Sequence, residues 1–316
     1  MSGRCWLMLA ALVCGPAARA QDVEVLPVQG NVYMLAGEGG NVAVQVGKSG
    51  VLVVDTGSGA SPEKVLAALR KLSPLPVRYI LNTSADRDHT GGNAFFSKTF
   101  GSLAEVSVVN TPGSTAAGTV QILAHDNVLA RMSMPARGEA AFPEISWPTE
   151  TYTTDTKELF FNDESIQMLH APAAHSDGDS MVYFRRSDVL VEGDLFVTTG
   201  YPAIELEKGG SLQGIIDGVN RALDIAIPKH HEEGGTYIIP GHGRICDEFD
   251  LSEYRDMLTI VRDRLQAMIN RGMSLEQVKA ARPTRDYDPE FAPSDGSWTA
   301  SRFVEAAYRS LAQAKK

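Results

Sequence analysis

Over the first part of the chain, apolar and polar positions alternate in short runs broken by glycine. Val23–Pro27, Val32–Ala36, Val42–Val46 and Val51–Val54 each read as a strand, with turns at Gly30-Asn31, Gly37–Gly40 and Gly47–Gly50. A period of two with glycine punctuation predicts an antiparallel meander. The period then changes. Ser61-Pro62-Glu63 opens a helix whose Val65, Leu66, Leu69 and Leu72 share one face, and Pro74 and Pro76 close it. Val77–Leu81 reads as a buried strand, Asn93–Lys98 as a short helix, Ala104–Asn110 as a strand, and Thr119–Met132 as a helix. His125 falls among apolar residues of that last helix and reads as a packed or hydrogen-bonded histidine. Ser133 to Thr154, with Pro135, Pro143, Trp147 and Pro148, is irregular, the character of a wall or lid over a site.

The second half repeats this grammar. Leu159–Phe161, Ile166–His170, Met181–Phe184 and Val189–Val191 read as strands, Leu212–Ile227 as a helix and Thr236–Ile239 as a further strand. From Asp250 the chain turns helical. Met257, Ile260, Val261, Leu265, Met268 and Ile269 form one stripe ending near Gly272, followed by helices at Ser274–Ala280 and Ser297–Ala314. Strands then helix, twice over, predicts an α/β protein of two packed halves. No stretch is rich enough in Pro, Gly or Ser to separate a second domain.

Composition changes this picture at the N-terminus and in the charge. Arg4, the apolar run Cys5–Cys14 and Ala18-Arg19-Ala20 read as a cleavable signal peptide over residues 1–20, and the destination as periplasmic or secreted. The run is too short for a membrane span. Cleavage would remove Arg4 and Arg19, leaving 27 Lys and Arg against 39 acids. A net charge of −12 argues against a nucleic-acid substrate, which wants clustered cations. It would also leave Cys246 as the sole cysteine, with no intramolecular disulfide available.

The candidate chemistry is concentrated in three stretches. Asn82-Thr83-Ser84-Ala85-Asp86-Arg87-Asp88-His89-Thr90-Gly91-Gly92 crowds Ser84, Asp86, Asp88 and His89 into six positions after a strand. Carboxylate and imidazole at this density suit a divalent metal. Ala174-His175-Ser176-Asp177-Gly178-Asp179 and Pro240-Gly241-His242-Gly243 add histidines at glycine-bounded strand ends, and Gly193-Asp194 adds an acid. Asp55, in Asp55-Thr56-Gly57, reads from the residues alone as a turn-forming acid before glycine. His230 and His231, before Glu232-Glu233, read as a polar cluster, and His170 is undecided.

The first stretch resembles the signature of the metallo-β-lactamase superfamily, Thr-His-x-His-x-Asp-His-x-Gly-Gly. Thr83, Asp88, His89, Gly91 and Gly92 match, whereas Ser84 and Asp86 stand where two histidines belong. Ala124-His125-Asp126-Asn127 and the C-terminal helices resemble secreted quinoprotein relay-system zinc hydrolases more than lactamases proper. The resemblance implies a four-layer αββα sandwich over residues 21–316, with the helices from about 249 packed on it. It also implies a second metal site of Asp88, His89, Asp194 and His242, and a first site reduced to His175, Asp194 and Asp86, with Ser84 a poor ligand. Asp55, Ser84 and Asp179 would support these ligands. One tightly held Zn2+ is expected, with a weak or absent second ion; manganese or iron would suit the oxygen-rich first site.

Two functions follow from that site. In the first, a metal-activated water attacks an ester, lactone, thioester or amide-type bond of a small molecule, with Asp88, His175 and Asp86 orienting the water or carrying its proton. In the second, the chain is a non-hydrolytic periplasmic metal- or ligand-binding protein on a degenerate scaffold. Five retained ligand positions favour the hydrolase. Iron-dependent oxidation ranks below both, since it usually accompanies an intact histidine loop.

Overall fold

The structure is a computed structural model that describes residues 23–37, 39–101, 119–135, 138–231, 234–292 and 298–313. The expected signal segment and the strand expected at Ala104–Asn110 lie outside the described residues, as do Ser297 and Ala314 at the ends of the last expected helix.

Two sheets face each other. The first has seven strands in sequence order: β1 (Glu24–Gln29), β2 (Val32–Ala36), β3 (Val42–Gly47), β4 (Gly50–Val54), β5 (Val77–Leu81), β6 (Gln121–His125) and β7 (Glu150–Tyr152). Pairing is antiparallel from β1 to β4 and parallel from β4 to β7. The second sheet contains β8 (Thr156–Phe161), β9 (Glu164–His170), β10 (Ser180–Phe184), β11 (Val189–Val197), β12 (Tyr237–His242) and β13 (Cys246–Asp247). It is antiparallel except for the parallel pair β11–β12.

The period-two alternation explains the layering. Val32 and Met34 of β2 point between the sheets, where they meet Leu52, Val54 and Leu81 and, from the other sheet, Met168, Val182, Phe184 and Ile239. Leu35, Val44, Val51 and Val53 point the other way, onto α1 (Pro62–Leu72) and α3 (Asn93–Phe100) through Val65, Leu69 and Phe96. The outer face of the second sheet is covered by α5 (Leu212–Leu223), α6 (Glu248–Asn270) and α7 (Ala300–Gln313), through Ile215, Val219, Tyr254, Leu258 and Phe303. This is the αββα sandwich. Phe96 and Phe184 have no exposed surface, and each such burial is worth about 1.5–3 kcal/mol. No helix of the described residues is long and apolar enough to cross a membrane.

Three expectations are corrected. The helix read at Thr119–Met132 is the strand β6 followed by α4 (Asp126–Ser133). β6 is buried on both faces, Ile122 toward the helices and Leu123 between the sheets, and such a strand lacks alternation. The stretch Ser133–Thr154 is not wholly irregular, since Glu150–Tyr152 adds the edge strand β7. β11 runs six residues past Val191, through a register shift that brings Asp194 into the strand. Ser61 takes the N-cap position of α1 with Pro62 behind it, without a side-chain cap bond.

Candidate metal centre

The parallel strands of the two sheets end at one cleft, and the chemistry is there. Asp55 follows β4 with φ of 63°, a left-handed conformation costing about 1–2 kcal/mol for a residue with a Cβ. It turns the carboxylate onto the loop after β5. One oxygen accepts from the Thr83 N–H at 2.9 Å; the other accepts from Thr83 Oγ1 at 2.6 Å and lies 2.8 Å from His89 Nδ1. The Thr56 N–H donates to the His89 carbonyl at 2.7 Å, and Gly91 N–H to Gly57 at 2.9 Å. A Cβ on Gly91 would stand 2.0 Å from the Ser58 carbonyl oxygen, so only glycine allows this approach. Asn93 locks the loop from behind, accepting from Thr56 Oγ1 and donating to Asn82 and to the Ser146 carbonyl.

The short helix α2 (Arg87–Thr90) presents Asp88 and His89 at the cleft. Asp55 accepts, so Nδ1 of His89 carries the hydrogen and Nε2 faces Asp194 Oδ1 at 3.2 Å. His242, at the end of β12, points its Nε2 at the same place, 3.1 Å from Asp88 Oδ2 and 3.5 Å from Asp194 Oδ1. His89 Nε2 and Asp194 Oδ1 are both buried without a hydrogen-bond partner, despite their proximity. Two orphaned polar atoms aimed at one point are costly unless something fills it. Asp88, His89, Asp194 and His242 each bring one ligand atom within 4.8 Å of the others. Two imidazoles and two carboxylates fit a zinc-type ion.

The charges respond accordingly. Burial alone would raise the Asp194 carboxyl, but His89, His175 and His242 hold it far below the usual range. Burial would lower His89, yet Asp194 and Asp55 raise it well above an ordinary histidine. Asp88 is the ligand most open to the cleft. Against the burial that would raise it, the His242 hydrogen bond and the charge of His89 keep it below the ordinary carboxyl value.

On the other side of Asp194, the arrangement is different. Ser84 is buried and its hydroxyl accepts from the Asp86 N–H at 3.2 Å, a local turn bond. Asp86 Oδ2 lies 3.3 Å from His175 Nε2, and Asp86 Oδ1 accepts from Lys208 Nζ at 2.6 Å. His175 Nδ1 lies 3.4 Å from Asp179, which also accepts from Ser176 N–H at 2.7 Å and Ser176 Oγ at 2.6 Å. Burial would lower His175, but Asp179, Asp194 and Asp86 lift it to about 10. Asp86, His175 and Asp194 form a second convergent group of three. Beside it opens a cavity of about 520 Å³, walled by Asp86, Arg87, Arg131, Glu139, Phe142 and Lys208. Glu139 and Phe142 come from the stretch expected to wall the site.

Four other histidines stand outside the cluster. His125 caps α4, accepting from Asn127 N–H, and its ring stacks on His170 at 3.6 Å. His170 bonds the Asp177 carbonyl at 2.9 Å. His230 packs edge-on against His231. Sequence reasoning missed two charged residues. Lys208 sits in a loop with no motif spacing to reveal it. Glu192 is fully buried, its carboxylate oxygens unpartnered, and burial pushes it up to about 8; an acid two residues before Asp194 in an apolar strand was the available signal.

Known proteins share this architecture. A linear primary-alkylsulfatase from Pseudomonas sp. (strain ATCC 19151) is 24% identical over 273 residues, which are 76% of this chain and 50% of that protein. The solved structure of a stereoselective inverting sec-alkylsulfatase from Pseudomonas sp. superposes with a TM-score of 0.61 at 15% identity, covering 91% of this chain and 50% of that one. A metallo-β-lactamase from Pontibacter korlensis gives 0.54 at 17% identity over 75% of this chain and 99% of that one. The chain thus spans about half the length of the alkylsulfatases it matches. The profile of the Metallo-beta-lactamase superfamily matches residues 26–242, which take in every ligand named above. By that match, and by the sandwich that carries it, the chain belongs to the metallo-β-lactamase superfamily.

Proposed function

We propose that this protein is a hydrolase built around a single zinc ion held by Asp88, His89, Asp194 and His242. The observation that carries this reading is the pair of buried, orphaned atoms, His89 Nε2 and Asp194 Oδ1, converging with Asp88 and His242. The ion would supply Lewis acidity and lower the pKa of water toward neutrality.

The chain's own residues do the rest. Asp55 fixes the His89 tautomer that presents Nε2 to the cleft. Asp88, half-buried and hydrogen-bonded to His242, orients the attacking water. Proton movement falls to the Asp86–His175 pair across the cleft, whose side chains lie 3.3 Å apart. The cavity between Arg87, Phe142 and Lys208 receives the body of a small substrate. The bond classes are an ester, lactone, thioester or amide, and the alkylsulfatase relative adds sulfate esters. Export to the periplasm or beyond is part of the same proposal, resting on the signal-like residues 1–20.

The test is zinc content by elemental mass spectrometry, beside a screen of p-nitrophenyl esters, lactones, thioesters, β-lactams and a primary alkyl sulfate. About one zinc per chain is expected, with turnover of one class that chelation abolishes and Asp88→Ala/His242→Ala lacks. Failure to take up zinc, manganese or iron would reverse the reading.

A further inference from the structure

We infer that the Lys208 ammonium, by holding Asp86, keeps a metal ion out of the first site, so that the centre holds one ion by construction. This rests on the metal centre proposed above and names what occupies its other half.

Lys208 is aimed, not free to wander. It ends a 3-10 turn at Leu206–Lys208 that is stitched to the His175 loop by backbone bonds. Glu205 N–H donates to the His175 carbonyl at 2.9 Å, Asp177 N–H to the Lys208 carbonyl at 2.9 Å, and Ser211 N–H to Ala174 at 2.9 Å. A Cβ on Gly210 would stand 2.0 Å from the His175 carbonyl oxygen, so glycine is what lets the two loops meet. The side chain is three-quarters buried, with Nζ 2.6 Å from Asp86 Oδ1 and 3.8 Å from Glu205.

The contrast with the other site gives the reason. Asp86, His175 and Asp194 converge closely enough to ligate an ion. There, however, the carboxylate is already held by a cation of the chain. Lys208 Nζ donates to Asp86 Oδ1 at 2.6 Å, and Asp179 steadies His175. A divalent ion on these ligands would compete with the ammonium for Asp86 and feel its repulsion from a few ångströms away. Ser84 offers nothing to offset this, since its hydroxyl is turned to the Asp86 backbone. With the cation supplied by the chain, the two missing histidines are not needed.

The experiment is native mass spectrometry of the folded protein, wild type, Lys208→Met and Lys208→Arg, across a zinc-buffered series. Expected are one zinc in the wild type and Lys208→Arg, and two in Lys208→Met, whose first-site affinity rises on the order of 100-fold as the repulsion is lifted. Thermal melting confirms that each variant is folded, and Lys208→Gln stands in if Lys208→Met is not. Two zinc ions in the wild type, or one in both neutral variants, would overturn the inference while leaving the hydrolase centre standing. No zinc in any of them would overturn both.

Discussion

Asp194 separates two half-sites built from the same kinds of residue that solve the same electrostatic problem in opposite ways. On one side, Asp88, His89 and His242 converge with two buried atoms left unpartnered. On the other, Asp86 is closed off by Lys208 and His175, and His175 is steadied by Asp179. Ligand inventory alone does not distinguish them, because both offer carboxylate and imidazole. The ammonium does. A carboxylate already held by a lysine of the chain is a poorer ligand than one that faces only imidazoles.

Asp194 is the residue the halves share, so its loss has the largest effect. Asp194→Ala should abolish zinc binding and lower kcat/KM on the hydrolysed substrate by about 10³-fold or more. Metal retained in this variant would show that Asp88, His89 and His242 suffice without it.

The carboxylates behind each histidine sharpen the contrast. Asp55→Ala strips Thr83 and His89 of their acceptor. It should destabilise the fold by about 3 kcal/mol and weaken zinc binding by about 10–100-fold. Asp55→Asn should cost less, since asparagine tolerates the positive φ. Asp179→Ala removes the acceptor of Ser176 and His175. It should also lower the unfolding midpoint, yet leave the zinc count unchanged. Equal loss of zinc in both variants would erase the distinction between the half-sites.

Chelation tests the same contrast through stability alone. If zinc is present at about 1,000 times its dissociation constant, its removal costs about 4 kcal/mol of stability and lowers the melting temperature by several degrees. Lys208→Met should show a larger drop, because it has two ions to lose.

Acidification should act on the His175 side in the smallest way. Burial and the stacked His170 depress His125, against the opposing pull of Asp126 and Asp177. A histidine with a folded pKa below its unfolded value contributes stability above about pH 6.5, and loses it as pH falls through the folded value. The urea midpoint should therefore fall below about pH 6.5, and His125→Gln should flatten that limb. An unchanged limb would place the acid response elsewhere.

The parts of this molecule that could be read from its sequence were those governed by local rules. β2 and β5 came out at their observed ends because each packs a side-chain pattern against known neighbours, and α6 because its stripe is long. β6 was misread as helix because burial on both faces removes the alternation that marks a strand. The extension of β11 to Val197 was hidden by the register shift at Gly193. In the site, Asp88, His89, His175, Asp194 and His242 were visible because strand ends and glycines frame them. Lys208 was not, because nothing near it in sequence predicts that residues 205–211 dock on the His175 loop.

The span of chain between ligands has a consequence in time. Asp88 and His242 touch across 154 residues of sequence, and Asn41 N–H reaches the Gly241 carbonyl to join the sheets beside them. Contacts so distant carry a large loop-closure entropy and form late in folding. Half of the chain can therefore not assemble the ion's binding place. In the proposed zinc centre, metal capture would follow the meeting of the sheets, and chelator added during refolding should lower the yield of stable protein.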